Sequence, residues 1–97
     1  MASTVHVIAR WVAQPGKEEA LKNVLFALIA PSRREIGCYQ YDLLRNPDDP
    51  RDFCFVERWQ DDKALALHAG SEHLKAARAE AEALADGPAD VRRYRIL

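Results

Sequence analysis

Glu57, Trp59, His68 and His73 follow one another inside a single stretch, Asp52 to His73, with the sequence DFCFVERWQDDKALALHAGSEH. An imidazole changes charge near neutral pH and is the natural general base. An indole offers a flat apolar wall for an aromatic ligand. A carboxylate on an apolar strand face needs a partner, because burying it alone is costly. These side chains need elements to hold them. Residues 53–59 alternate like a strand, with Phe53, Phe55, Glu57 and Trp59 on one side. Asp61 then reads as a helix N-cap, with Asp62 adding favourable charge in the first turn. Leu65 and His68 lie three apart, on one face of that short helix. Gly70 stops it, and Ser71 caps a further helix that carries His73. The other elements are expected to close over this strand–helix–helix unit.

The remaining elements follow in order. Thr4 to Val12 is β-rich, with Val5, Val7, Ala9 and Trp11 on one face and His6, Ile8, Arg10 and Val12 on the other. Gln14-Pro15-Gly16 breaks it. Leu21, Val24, Leu25, Leu28 and Ile29 then follow helical spacing, which predicts an amphipathic helix stopping or kinking at Pro31, with a restart as a short turn that has Pro31 in first position as the alternative. Gly37 ends that segment, and Cys38 to Arg45 reads as a second strand. Asn46-Pro47-Asp48-Asp49-Pro50 is dense turn chemistry, so the second and third strands are expected to form an antiparallel hairpin. After the two helices, Asp86-Gly87-Pro88 breaks the chain again, and Val91 to Leu97 reads as a last strand. The order β-α-β-β-α-β predicts an α+β protein of the ferredoxin-like arrangement, one domain over 1–97. Helices cover one face of such a sheet. The apolar residues on both faces of strands one and three predict a self-paired dimer through the other face.

Composition narrows the function classes. The formal net charge is -1 over 97 residues, which gives no electrostatic reason to expect nucleic acid or an anionic membrane. No apolar run approaches the length of a membrane span, and residues 1–20 lack a signal-peptide pattern. Cys38 and Cys54 have no metal or redox spacing. They read as two buried, reduced thiols in a cytoplasmic protein.

Arg34-Glu35-Ile36-Gly37-Cys38, Tyr41, Glu57-Arg58-Trp59, Ala64, His68, Ser71 and His73 stand in the order of a known pattern. In this the chain resembles the antibiotic biosynthesis monooxygenase family, including its quinol monooxygenase type, over nearly its whole length. The resemblance implies a dimeric α+β barrel with a pocket between sheet and helices in each subunit. It also implies oxygenation of a small phenolic or quinol-like substrate by dioxygen, without metal or flavin. Non-catalytic ligand binding or sensing, and cofactor-free isomerisation, are the competing readings on the same fold. Haem-degrading relatives use an Asn on the first strand; here that position falls on Ala9, which argues against haem.

Such oxygenation needs a dry pocket, a base and an anion stabiliser. His68 is the first candidate base and His73 the second; their structural alternatives are a helix histidine at a subunit surface and a solvent-exposed one. The candidate substrate-binding set is Trp59, Tyr41, Glu57 and Phe55. Core packing is the alternative for Trp59, and an ion pair with Arg34, Arg93 or Arg10 is the favoured reading of Glu57. Tyr41 and Tyr94 can donate to a substrate oxygen, with a dimer interface as their alternative. His6 is assigned to that interface. Arg92, Arg93 and Arg95 read as a solvated basic face, one arginine turned to a carboxylate. No metal is expected, because the spacing of His68 and His73 across Gly70 is not a zinc-ligand spacing.

Overall fold

The β-rich segments pair into one antiparallel sheet of order β2-β3-β1-β4, in a computed structural model that describes residues 4–97. Residues 1–3, which the single-domain reading includes, lie outside the described residues. The strands are β1 (Val5–Val12), β2 (Cys38–Arg45), β3 (Asp52–Trp59) and β4 (Asp90–Tyr94). Between β1 and β2 lie α1 (Glu18–Phe26) and α2 (Ile29–Arg33); between β3 and β4 lie α3 (Asp62–Ala69) and α4 (Glu72–Leu84). This is the expected ferredoxin-like α+β order, with two helices in each crossover.

Alternation decides which side chains enter the core. Val5, Val7, Ala9 and Trp11 of β1 and Phe53, Phe55 and Trp59 of β3 are buried beneath Leu21, Leu25 and Leu28 and the small residues Ala64 and Ala81. Each large apolar side chain so buried contributes about 1.5–3 kcal/mol. The opposite face, with Ile8, Val12, Cys54 and Val56, stays half-buried in the single chain. The hairpin turn is stitched by its own side chains. Asn46 Oδ1 accepts from the Asp48 amide at 2.8 Å, and Asp49 Oδ1 accepts from the Arg51 amide at 3.1 Å. Asp61 caps α3 by accepting from the Ala64 amide at 2.9 Å, and Ser71 caps α4 through the Leu74 amide at 3.4 Å. A cap of this kind is worth about 1 kcal/mol.

Three expectations are corrected. The first helix ends at Phe26, before the periodic residues Leu28 and Ile29. A continuous helix would drive the Pro31 ring against the Ala27 carbonyl; restarting as α2 puts Pro31 in a first turn, where a missing N–H costs nothing. The last strand stops at Tyr94 rather than Leu97. Tyr94 lies opposite His6, so β1 is nearly exhausted there, and Arg95 turns instead to the Asp62 carboxylate at 2.8 Å. Cys38 and Cys54 are free and half-buried, not fully buried.

Gly37 positions the site. Its φ of +87° makes the turn between α2 and β2, and a Cβ there would meet the Ala64 Cβ at 2.6 Å. The same turn holds Glu35, whose carbonyl accepts from the Cys38 amide at 3.1 Å. Gly87 has a similar φ, +89°, with nothing within 4 Å of a built Cβ. Gly87→Ala should therefore cost only the left-handed conformation, about 1–2 kcal/mol. Gly37→Ala should cost that plus an overpacking cost of about 1–3 kcal/mol. Urea denaturation of the two variants checks this; equal losses would mean that the Ala64 contact is absorbed without strain.

Candidate active site

The site is built around the C-terminal half of β3. Glu57 and Trp59 are two residues apart on a strand and so share its inner face. The Trp59 indole N–H donates to Glu57 Oε1 at 2.9 Å, with both side chains buried. This corrects the expected arginine partner: Arg10 is paired with Asp52 at 2.8 Å, Arg93 with Asp62 at 3.8 Å, and Arg34 is exposed. Opposite Glu57 stand Val7 on β1 and Tyr41 on β2, neither of which brings a cation. Burial, opposed by the Trp59 hydrogen bond and helped by the nearby Glu35 charge, pushes the Glu57 carboxyl up to about 7.

α3 carries His68 across from this strand. Its ring lies on the Trp59 indole, with centroids 4.5 Å apart at 33°, and meets the Tyr41 ring edge-on at 5.3 Å. Nδ1 contacts both Glu35 carboxylate oxygens, at 3.1 and 3.0 Å. Burial lowers the His68 pKa below its usual value, against the opposing pull of Glu35. His68 is therefore neutral at pH 7, and the contact is a hydrogen bond from Nδ1–H to the carboxylate. That assigns the tautomer, leaving Nε2 with its lone pair and without a partner among the described residues.

A cavity of about 350 Å³ opens between the inner sheet face and α3 and α4. Its floor is Val7, Ala9, Trp11, Tyr41, Phe55 and Glu57. His68 and Leu65 form one wall, Leu74, Arg78 and Glu82 of α4 another, and Pro88, Ala89 and Val91 the rim. The cavity thus brings together four of the predicted residues, His68, Tyr41, Glu57 and Phe55. Burial raises the Tyr41 hydroxyl well above the ordinary phenol value, so it is a donor at neutral pH. Trp59 is placed differently: it has no exposed surface and lies behind the wall, supporting Glu57 and His68. His73 also stays off this cavity. Its Nε2 hydrogen-bonds Glu35 Oε1, and its ring faces a separate shallow pocket beside Asn23 and Glu80. Ala9, at the position where an Asn would signal haem degradation, lies on the cavity floor.

Glu35 is the residue that sequence reasoning left unassigned. It is 33 positions from His68, and only the Gly37 turn brings it under α3. Glu35, His68 and His73 present donor atoms within 4.8 Å of one another, a set with the residue types to hold a cation. As arranged, those atoms are engaged in hydrogen bonds with each other. The basic cluster is more paired than expected, with Arg92 on Asp90 and both Arg93 and Arg95 on Asp62. Tyr94 is half-exposed on the outer sheet face with His6 opposite. No helix among the described residues is long and apolar enough to cross a membrane.

A ferredoxin-like sheet with a buried imidazole and a buried carboxyl on one apolar cavity defines a small-molecule site between sheet and helices. The family described as antibiotic biosynthesis monooxygenase matches residues 4–80, and the chain belongs to it. It is 40% identical over 91 residues, 94% of this chain and 89% of the other, to "Putative monooxygenase Rv0793" of Mycobacterium tuberculosis. The structure of that protein superposes with a TM-score of 0.92, covering 98% of this chain and 96% of that one. The crystal structure of PA3566 from Pseudomonas aeruginosa gives 0.90 at 41% identity, covering 100% and 97%. Family and relatives support a monooxygenase-like function on a small molecule.

The Glu57 carboxyl makes stability depend on pH. Its pKa is 4.5 in an ordinary setting and about 7 in the fold, so folding favours the proton. Stability linked to this group is therefore full below 4.5 and declines as pH rises through about 7. At about 1.4 kcal/mol per pH unit the decline is on the order of 3 kcal/mol. Glu57→Gln keeps an acceptor for the Trp59 N–H and has no charge to bury. The stability difference between Glu57→Gln and the natural chain should shift in favour of the variant by that amount between pH 4.5 and pH 8. Denaturant titrations at both pH values measure it; a difference independent of pH would place Glu57 in a solvated setting.

Proposed function

We propose that this protein is a cofactor-independent monooxygenase that uses dioxygen to oxidise a small quinol or other phenolic aromatic. The observation that carries the reading is His68, a buried neutral imidazole on the wall of an apolar cavity, its Nδ1 held by Glu35. Nε2 takes the proton of a substrate hydroxyl. The resulting aryloxide is electron-rich enough to pass an electron to dioxygen, and the radical pair combines to form a carbon–oxygen bond. Glu35 keeps Nδ1 protonated and stabilises the imidazolium that forms. Phe55, Tyr41 and Trp11 supply the apolar bed, and a Tyr41 hydroxyl held protonated is suited to donate to a substrate oxygen. His73 acts through Glu35, and Trp59 through Glu57 and His68.

The chain is proposed to work as a homodimer through the outer sheet face, where Ile8, Val12 and Val56 are half-buried. Free thiols at Cys38 and Cys54 suit a cytoplasmic setting. Sedimentation showing only an 11.0 kDa species at micromolar concentration would remove the dimer.

Oxygen uptake with hydroquinones, naphthols and anthrones, after EDTA treatment, tests the reaction and separates it from ligand binding without turnover. His68→Ala should lower the rate by roughly 10²–10⁴ and abolish the rising limb of the pH profile. That limb lies below the usual histidine value, because burial lowers the His68 pKa. Glu35→Gln should lower the rate by about tenfold or more through loss of the tautomer, with KM little changed. A folded His68→Ala protein with the natural rate and the same pH limb would make His68 structural.

A further inference from the structure

The second titratable group of the cavity is not used by the base step. Glu57 is 5% exposed and faces a floor of Val7, Ala9, Phe55 and Tyr41. One carboxyl oxygen, Oε1, takes the Trp59 N–H; the other has no partner among the described residues. A buried carboxyl with a free oxygen on a ligand cavity has two physical options. It can keep its proton and donate it to a ligand, or be ionised and leave a charge unpaired, which is costly. The groups around it favour the first. Trp59 donates from β3, Tyr41 stands opposite on β2, and Glu35 precedes β2 with a charge of the same sign. His68 on α3 is neutral. On β4, Arg93 is opposite Val7 and turned to Asp62; on α4, Arg78 and Glu82 at the cavity mouth are exposed and of opposite sign.

We propose that Glu57 is the acid of this site, a catalytic residue that hands its proton to an oxygen atom of the bound ligand and takes one back. This rests on the oxygenase reading for the identity of that oxygen. With a dihydroxyarene and dioxygen, His68 removes one hydroxyl proton and the ring carbon beside it bonds dioxygen, leaving a carbon-bound peroxide anion. Glu57 protonates the outer peroxide oxygen. The Glu57 carboxylate then removes the hydrogen on that same carbon, and the C–H electron pair becomes the second bond of a new carbonyl as the O–O bond breaks. Hydroxide leaves and takes the proton held by His68. The products are a hydroxyquinone and water, with His68 and Glu57 restored. The ligand class that fits is a neutral arene with two oxygen functions, one at His68 and the other side presented to Glu57.

The test does not depend on turnover alone. Calorimetric binding of 1-tetralone, an aromatic ketone that can only accept a hydrogen bond and cannot be oxygenated by this route, is measured at pH 6 and pH 8. A donating Glu57 should make the natural protein bind it about tenfold more weakly at pH 8 than at pH 6. Glu57→Gln, whose amide still donates, should bind equally at both. With a substrate in hand, the natural pH profile should fall above about 7, and Glu57→Gln should turn over roughly 10²-fold or more slowly, its residual rate lacking that falling limb while keeping the rising limb of His68. Binding by the natural protein that is independent of pH, or the same fall in Glu57→Gln, would overturn the proposal. Failure of every hydroquinone to consume oxygen would sink the oxygenase reading, and the ketone titration would still decide the role of Glu57.

Discussion

The Trp59 indole is the interaction on which the site depends. It is the largest fully buried side chain and has no exposed surface, so its N–H must find an acceptor inside the protein. The acceptor is Glu57, its neighbour on the same strand face. Satisfying one buried donor thereby fixes a carboxyl in the cavity floor. The other consequence is on the ring face, where His68 stacks at 4.5 Å. A stacked imidazole cannot rotate freely, so its two nitrogens point in settled directions. Removing the indole would free both groups at once and open a void beneath α3, which is why its contribution to chemistry cannot be separated from packing by simple truncation.

The two titratable groups that flank Trp59 are moved in opposite senses by one cause. Burial disfavours charge, so it lowers a histidine and raises a carboxylic acid. Near neutral pH the imidazole is then free to accept a proton, and the carboxyl is only partly ionised where an ordinary one would be fully so. Glu35 tempers this on one side. It draws the His68 pKa back up and raises Glu57 further, since a charge of the same sign discourages a second one. In the proposed chemistry, a base and an acid on one apolar cavity follow from where these groups sit, with Glu35 holding His68 and the Trp59 N–H holding Glu57.

Much of this was legible along the chain. The strand Cys38–Arg45 matches its structural bounds, and Asp61 and Ser71 cap the helices that carry His68 and His73. Local chemistry fixes such features, so local reading finds them. The pairing of Glu57 with Trp59 was also available, since residues two apart on a strand share a face. A carboxylate suggests a cation, but of the candidate arginines Arg10 and Arg93 are engaged at Asp52 and Asp62 and Arg34 is exposed. Glu35 was not legible. The family pattern marks its position beside Gly37 but assigns it no role, and its approach to His68 depends on Gly37 turning the chain against Ala64. The position of Trp59 behind the cavity wall likewise depends on the depth of α3, which no periodicity encodes.

The cavity divides into parts with different origins. The floor and the histidine wall come from β1, β2, β3 and α3, inside the residues that match the family. Glu82, Pro88, Ala89 and Val91 lie beyond residue 80, where that match ends. They belong to the end of α4, the breaker after it and the start of β4, a strand exposed along its whole length. A floor built on a paired sheet holds its side chains rigidly, whereas a rim on a loop and an exposed strand tolerates changes of size and charge. In the proposed reaction, proton handling therefore resides in the floor and wall, and discrimination by substrate size falls to the rim, together with the exposed Arg78 and Glu82 on α4.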